Sequence, residues 1–179
     1  MSSFQETVHN LMKNNFSVDK NISILVLTDN STESLGRKFE KALKNDGWKT
    51  KIHVMEDRSK SGEEPPQETA EKMLEFDLVF CLTKHSLTHT AARKTANQHG
   101  VSVITMPGIT EDMFLNGAMS ADYSIVEKET NEVAEKLNEL VKKGQQITLI
   151  DHHISALPLA EKYDWVHVIA EDENGKKTA

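Results

Sequence analysis

Apolar residues at Phe4, Val8, Leu11 and Met12 fall at i, i+4, i+7 and i+8, one face of a helix, so the chain opens on an amphipathic helix. The stretch Asn21–Asp29 then carries a β-branched-rich apolar run closed by Asp29-Asn30-Ser31-Thr32, which predicts a buried strand followed by a loop. Leu35, Phe39, Ala42 and Leu43 return the helical spacing, with Ser31 or Thr32 placed to cap that helix and Gly47 to end it. Strand and helix together make one β-α unit.

The unit recurs. Lys51–Met55 reads as a second strand and Ser59–Pro66 as a polar loop, the most flexible internal segment by composition. A helix over Thr69–Phe76, a fully apolar strand over Leu78–Leu82, a helix over Thr90–His99 stopped by Gly100, and a strand over Val101–Thr105 follow. A short helix through Met113-Phe114-Leu115 and a long one over Lys128–Lys143 come next, the latter with Val133, Leu137, Leu140 and Val141 turned inward. A fifth strand covers Ile147–Ile150, and Trp165–Ile169 is strand-like. Short apolar strands alternating with helices imply a parallel sheet covered on both faces. The expected fold class is α/β, a doubly wound, mainly parallel Rossmann-like sheet flanked by helices. Residues 1–150 are expected to form that domain, and 151–179 a partly irregular extension with a mobile polar end over Glu171–Ala179.

With 179 residues, one core is the default. Lys and Arg number 21 against 28 Asp and Glu, a net charge of −7, which removes the basic footprint of duplex nucleic-acid binding. The single cysteine, Cys81, sits in an apolar strand and reads as a packing residue, as do Met106, Met113 and Met119. One cysteine, together with an opening that lacks the basic and apolar parts of a signal peptide, leads us to expect a reducing, cytoplasmic setting. The apolar runs, such as Ile24–Leu27 and Leu78–Leu82, are far below the roughly 18 residues of a membrane span, so no membrane partner is expected.

Ligands of open α/β sheets sit at the carboxyl ends of the strands. The loop after the first strand lacks the glycine spacing of a dinucleotide fingerprint or a P-loop, so no nucleotide cofactor is supported. After the third strand, Thr83, Lys84, His85, Ser86, Thr88, His89, Thr90 and Arg93 crowd one strand-to-helix turn. Free backbone N–H groups and the helix dipole favour an anion there, such as a carboxylate or phosphate. Met106-Pro107-Gly108 with Thr110, Glu111 and Asp112 is explained by a turn and a helix cap. The fifth strand ends in Asp151-His152-His153, donor types that manganese, iron or zinc accept.

Two resemblances bear on these motifs. Leu82–Lys94 and Met106–Phe114 resemble the N-terminal domain of the aminopeptidase T-like (leucyl aminopeptidase) metallopeptidases, a likeness spanning residues 4 to about 133. That family's metal ligands and catalytic acids lie in a further C-terminal domain and its members commonly dimerise. The resemblance therefore implies a binding or assembly module, a homo-oligomer or a partner of a missing catalytic domain, and not a self-sufficient peptidase. From about residue 134, Leu140–Gly144, Leu149–His153 and Lys162–Trp165 resemble the motif region of the DHH-family phosphoesterases. This second likeness implies metal-ligand roles for Asp151 and His152, with His153 near metal or phosphate. In that alternative a bound divalent metal lowers the pKa of a water and Lys84 or Arg93 steadies the phosphate. A scaffold that acts by dimerisation, with no small-molecule site, is the third expectation.

Overall fold

The computed structural model describes residues 3–16, 19–121, 123–142, 147–151, 166–171 and 177–178, with side chains through residue 139. By its internal contacts the chain divides into two units, Met1–Tyr123 and Ser124–Ala179.

The first unit runs α1 (Phe4–Asn15), β1 (Ser23–Asp29), α2 (Glu33–Asn45), β2 (Lys49–Met55), α3 (Gln67–Met73), β3 (Leu78–Leu82), α4 (Ala91–Gln98), β4 (Ser102–Thr105) and α5 (Glu111–Leu115). Its four strands form an all-parallel sheet in the order β2-β1-β3-β4. This is the expected α/β fold: β1 and β3 are central, and successive side chains feed opposite faces because a strand alternates with period two. Ile24, Val26, Leu78, Phe80 and Leu82 pack with Val8, Met12, Phe39 and Leu43 of α1 and α2 and with Phe114 of α5. Leu25, Leu27, Val79 and Cys81 pack on the other face with Met73 of α3 and Ala96 of α4. Phe39 anchors the first face, its ring centroid 5.1 Å from Phe80 and 5.7 Å from Phe114. β2 is an edge strand, and its exposed Lys49 and Lys51 discourage pairing with another chain.

Local signals explain the element ends. Ser3 and Glu6 close a capping box on α1. Gly47 and Gly100 follow α2 and α4 at φ 85° and 86°, the left-handed geometry in which a side chain would be strained. Gly36 of α2 is required by contact instead, since a Cβ there would lie 3.0 Å from the Cβ of the fully buried Thr28 on β1.

The second unit contains α6 (Tyr123–Lys142), which starts at the boundary residue, β5 (Ile147–Asp151), β6 (Val166–Glu171) and β7 (Lys177–Thr178). Here the expected fifth strand of one sheet is corrected: β5 pairs in parallel with β6, and β6 in antiparallel with β7. Apolar composition marks a strand without naming its neighbour, and Val166–Ala170 offers β5 a full register. Glu171 and Lys177 pair with each other in that ladder, and 172–176 and 179 of the expected mobile end lie outside the described residues. Val133 of α6 is also corrected, since it is 57% exposed and not inward. Helical spacing shows that an apolar face exists and leaves open what covers it. Among the described residues, no helix is long and apolar enough to cross a membrane.

Candidate functional site

The carboxyl edge of the first sheet gathers the loops after β1, β2 and β3. Strand order reverses between β1 and β3, the position where such sheets hold ligands. Asp29, only 1% exposed, sits at the end of β1. Its Oδ1 accepts from the Thr32 N–H at 3.1 Å and the Thr32 hydroxyl at 2.8 Å, and its Oδ2 accepts from the Lys84 N–H at 2.7 Å. The Thr32 hydroxyl also reaches the Leu82 carbonyl at 2.5 Å. Thr32 is the residue before α2, yet its side chain makes no capping bond; it is spent on tying β1 to β3. The buried carboxylate thus braces its own loop through Oδ1 and reaches the loop after β3 through Oδ2.

The β2 loop closes over the same edge. Asp57 accepts from the Ser31 N–H at 2.9 Å and from the Ser31 hydroxyl. These bonds, the hydroxyl's first, hold the Asp57 carboxyl below the usual aspartate range. Glu63 accepts from the Ser59 hydroxyl and N–H, each at 2.7 Å, and is likewise lowered. Gly62, at φ 82°, donates to the Ser86 carbonyl at 2.8 Å, while the Ser86 N–H donates to the Ser61 hydroxyl at 3.1 Å. The loop read as flexible from composition is thus strapped to the turn after β3 by bonds in both directions.

Glu64 completes the strap. Its Oε1 accepts from the Ala91 N–H at 2.6 Å and its Oε2 from the Ala92 N–H at 3.1 Å, the first two N–H groups of α4. An anion therefore occupies the helix start that sequence marked as anion-favouring, and the protein supplies it.

The expected anion-binding residues are brought together in this turn, each with a definite partner or placement. Thr83, buried, donates from its hydroxyl to the His85 carbonyl at 2.7 Å. The Lys84 backbone binds Asp29, and its side chain is exposed beside the Asp57 charge. Ser86 donates to Thr88 at 2.9 Å, and Thr88 shares a 2.7 Å hydroxyl contact with Thr105. Thr90 is the cap, its hydroxyl accepting from the Arg93 N–H at 3.2 Å and donating to the Leu87 carbonyl at 2.7 Å. Arg93 donates to the Thr88 carbonyl at 2.9 Å and to Asn97 at 2.8 Å. His89 is exposed.

Asp151 is the last residue of β5, and His152 and His153 lie outside the described residues. Among the described residues, no three His, Cys, Asp or Glu side chains stand close enough to hold a metal ion. Met106 and Met119 pack against the core as expected, whereas Met113 is 44% exposed. Its place on the short α5 leaves only Phe114 fully inward.

Sequence reading missed a pocket lined by His9, Met12, Phe16, Lys20, Asp46 and Trp48, built by the ends of α1 and α2. His9 pairs with Asp46 at 2.8 Å, and Lys20 lies 5.4 Å from the Trp48 ring while donating to the Asp46 carbonyl. Only the exposed Lys20 and Lys49 near Trp48 could have signalled it.

No family model and no curated protein sequence matches the chain. Two solved structures are similar to part of it. One is a 2,5-dihydroxypyridine dioxygenase from Pseudomonas putida KT2440, at 13% identity and TM-score 0.47, covering 58% of this chain and 33% of that one. The other is exonuclease RecJ bound to manganese, at 21% identity and TM-score 0.36, covering 62% of this chain and 29% of that one. The chain spans about a third of either protein's length.

Proposed function

We propose that this chain is an assembly module built on an α/β scaffold, in which the first unit serves as a rigid platform. The observation that supports this reading is the filling of the carboxyl edge by the chain's own carboxylates, above all Glu64 on the first N–H groups of α4. A catalytic or ligand-binding edge needs polar groups held ready for substrate. Here Asp29, Asp57 and Glu64 are engaged by neighbouring loops, and Thr90 and Arg93 are engaged within their own turn. Incubation of chelator-treated protein with manganese and a chromogenic phosphodiester, and separately with a leucyl amide, is expected to give no turnover. Turnover of either substrate contradicts the reading.

A second reading has one observation in its favour. Asp151 ends a strand that pairs in parallel with β6, the strand end at which parallel sheets carry ligands. In this metal-dependent phosphoesterase, Asp151, His152 and His153 would hold manganese, iron or zinc, and the metal would supply an activated water. Calorimetric manganese titration separates the readings. Stoichiometric uptake lost in both Asp151→Ala and His152→Ala favours the second, and equal behaviour of wild type and variants rejects it.

A further inference from the structure

The face of α6 carries a seam. Val126, Thr130, Val133, Leu137 and Leu140 succeed one another at alternating steps of four and three residues. That repeat keeps one stripe facing a partner helix in a left-handed coiled coil. Val126 and Val133 are 43% and 57% exposed, Thr130 is exposed and Leu137 half-buried. β-branched residues are poorer helix formers than the Glu and Lys around them, so this stripe is not explained by the stability of an isolated helix. The 3.9 Å pair of Lys128 and Glu132 lies on the helix's outer side, off the seam.

Charge selects the partner and its direction. Glu129 and Lys136 occupy equivalent flanking positions one heptad apart, each directly before a seam residue, Thr130 or Leu137. In an antiparallel pair of identical helices these flanks face each other. Glu129 of one copy then meets Lys136 of the second copy, and the two-fold axis makes the pair twice. In a parallel, in-register pair the same positions face Ala134 and Val141, and no charge is matched.

We propose that α6 packs against α6 of a second copy of this chain as an antiparallel two-helix seam. The inference rests on the assembly reading above and names its partner. So short a seam buries a modest area, so association depends on protein concentration.

Light scattering of the full chain across a concentration series tests it. The mass of the wild type is expected to rise twofold with concentration, and Val133→Glu to stay monomeric with an unchanged circular dichroism spectrum. Glu129→Lys is expected to lose the dimer, since lysine then faces Lys136, and Glu129→Lys with Lys136→Glu to restore it. If Val133→Glu proves unfolded, loss of the dimer in Glu129→Lys and its return in the charge-exchanged double variant decide. A wild type that is monomeric throughout overturns the seam, as does a dimer indifferent to these substitutions. A dimer of that second kind leaves the assembly reading standing, because the reading fails on substrate turnover and not on which surface associates.

Discussion

Asp29 and Glu64 show how much of an apparent binding edge is structural. Asp29 was legible only as part of a polar loop opening a helix; its role depends on Lys84, 55 residues away in sequence. Glu64 is 27 residues from the N–H it binds, so the anion-favouring turn was readable and its occupant was not. Local spacing reports which groups a helix start prefers, and long-range loop packing decides who supplies them. Removal of the Asp29 carboxylate strands the part-buried Thr32 and Lys84 N–H groups, so Asp29→Ala is expected to cost about 2 kcal/mol in urea unfolding. Asp29→Asn, which keeps one acceptor, is expected to cost less. Cys81 is buried and its thiol is pushed up to about 12 by desolvation. It is expected to resist alkylation at neutral pH until the protein is unfolded, as mass spectrometry of the treated protein would report.

At the level of elements, the strands were the most readable part. Leu78–Leu82 needed no adjustment, because a short unbroken apolar run bounded by Asp77 and Thr83 has few alternatives. The caps were less so: of the hydroxyls crowding that turn Thr90 caps α4, and the Thr32 hydroxyl serves the sheet in place of α2. Each hydroxyl near a helix start has competing acceptors, and tertiary contacts choose among them. The element junctions also set the response to acid. Asp77 accepts from the Ser23 N–H and hydroxyl, each at 2.7 Å, which joins the start of β1 to the turn before β3 and lowers its pKa. Asp57 joins β1 and β2 loops in the same way, its pKa lowered by Ser31. A depressed folded pKa means the stabilisation is complete above the ordinary aspartate value of 3.8 and is lost as pH falls through the lower folded value. Urea midpoints are therefore expected to hold at neutral pH and fall on the acid side, with a shallower fall in Asp77→Asn. A midpoint that rises on acidification would contradict the assignment.

For the whole molecule, the α/β class and the two-faced core followed from alternating strands and helices, while the division of the chain did not. β5 has the composition of a sheet strand, and it pairs with β6 in the second unit. The engaged carboxyl edge of the first unit is the observation on which the proposed assembly reading rests. The claim that most needs testing is that this edge is filled from within. Amide chemical shifts of Ala91 and Ala92, followed while inorganic phosphate is added to the full chain, address it directly. Both amides are expected to stay unmoved in the wild type and to shift with saturation in Glu64→Ala, where the two N–H groups are released. Saturable shifts in the wild type at the same phosphate concentrations would contradict it and make the turn after β3 an open anion site.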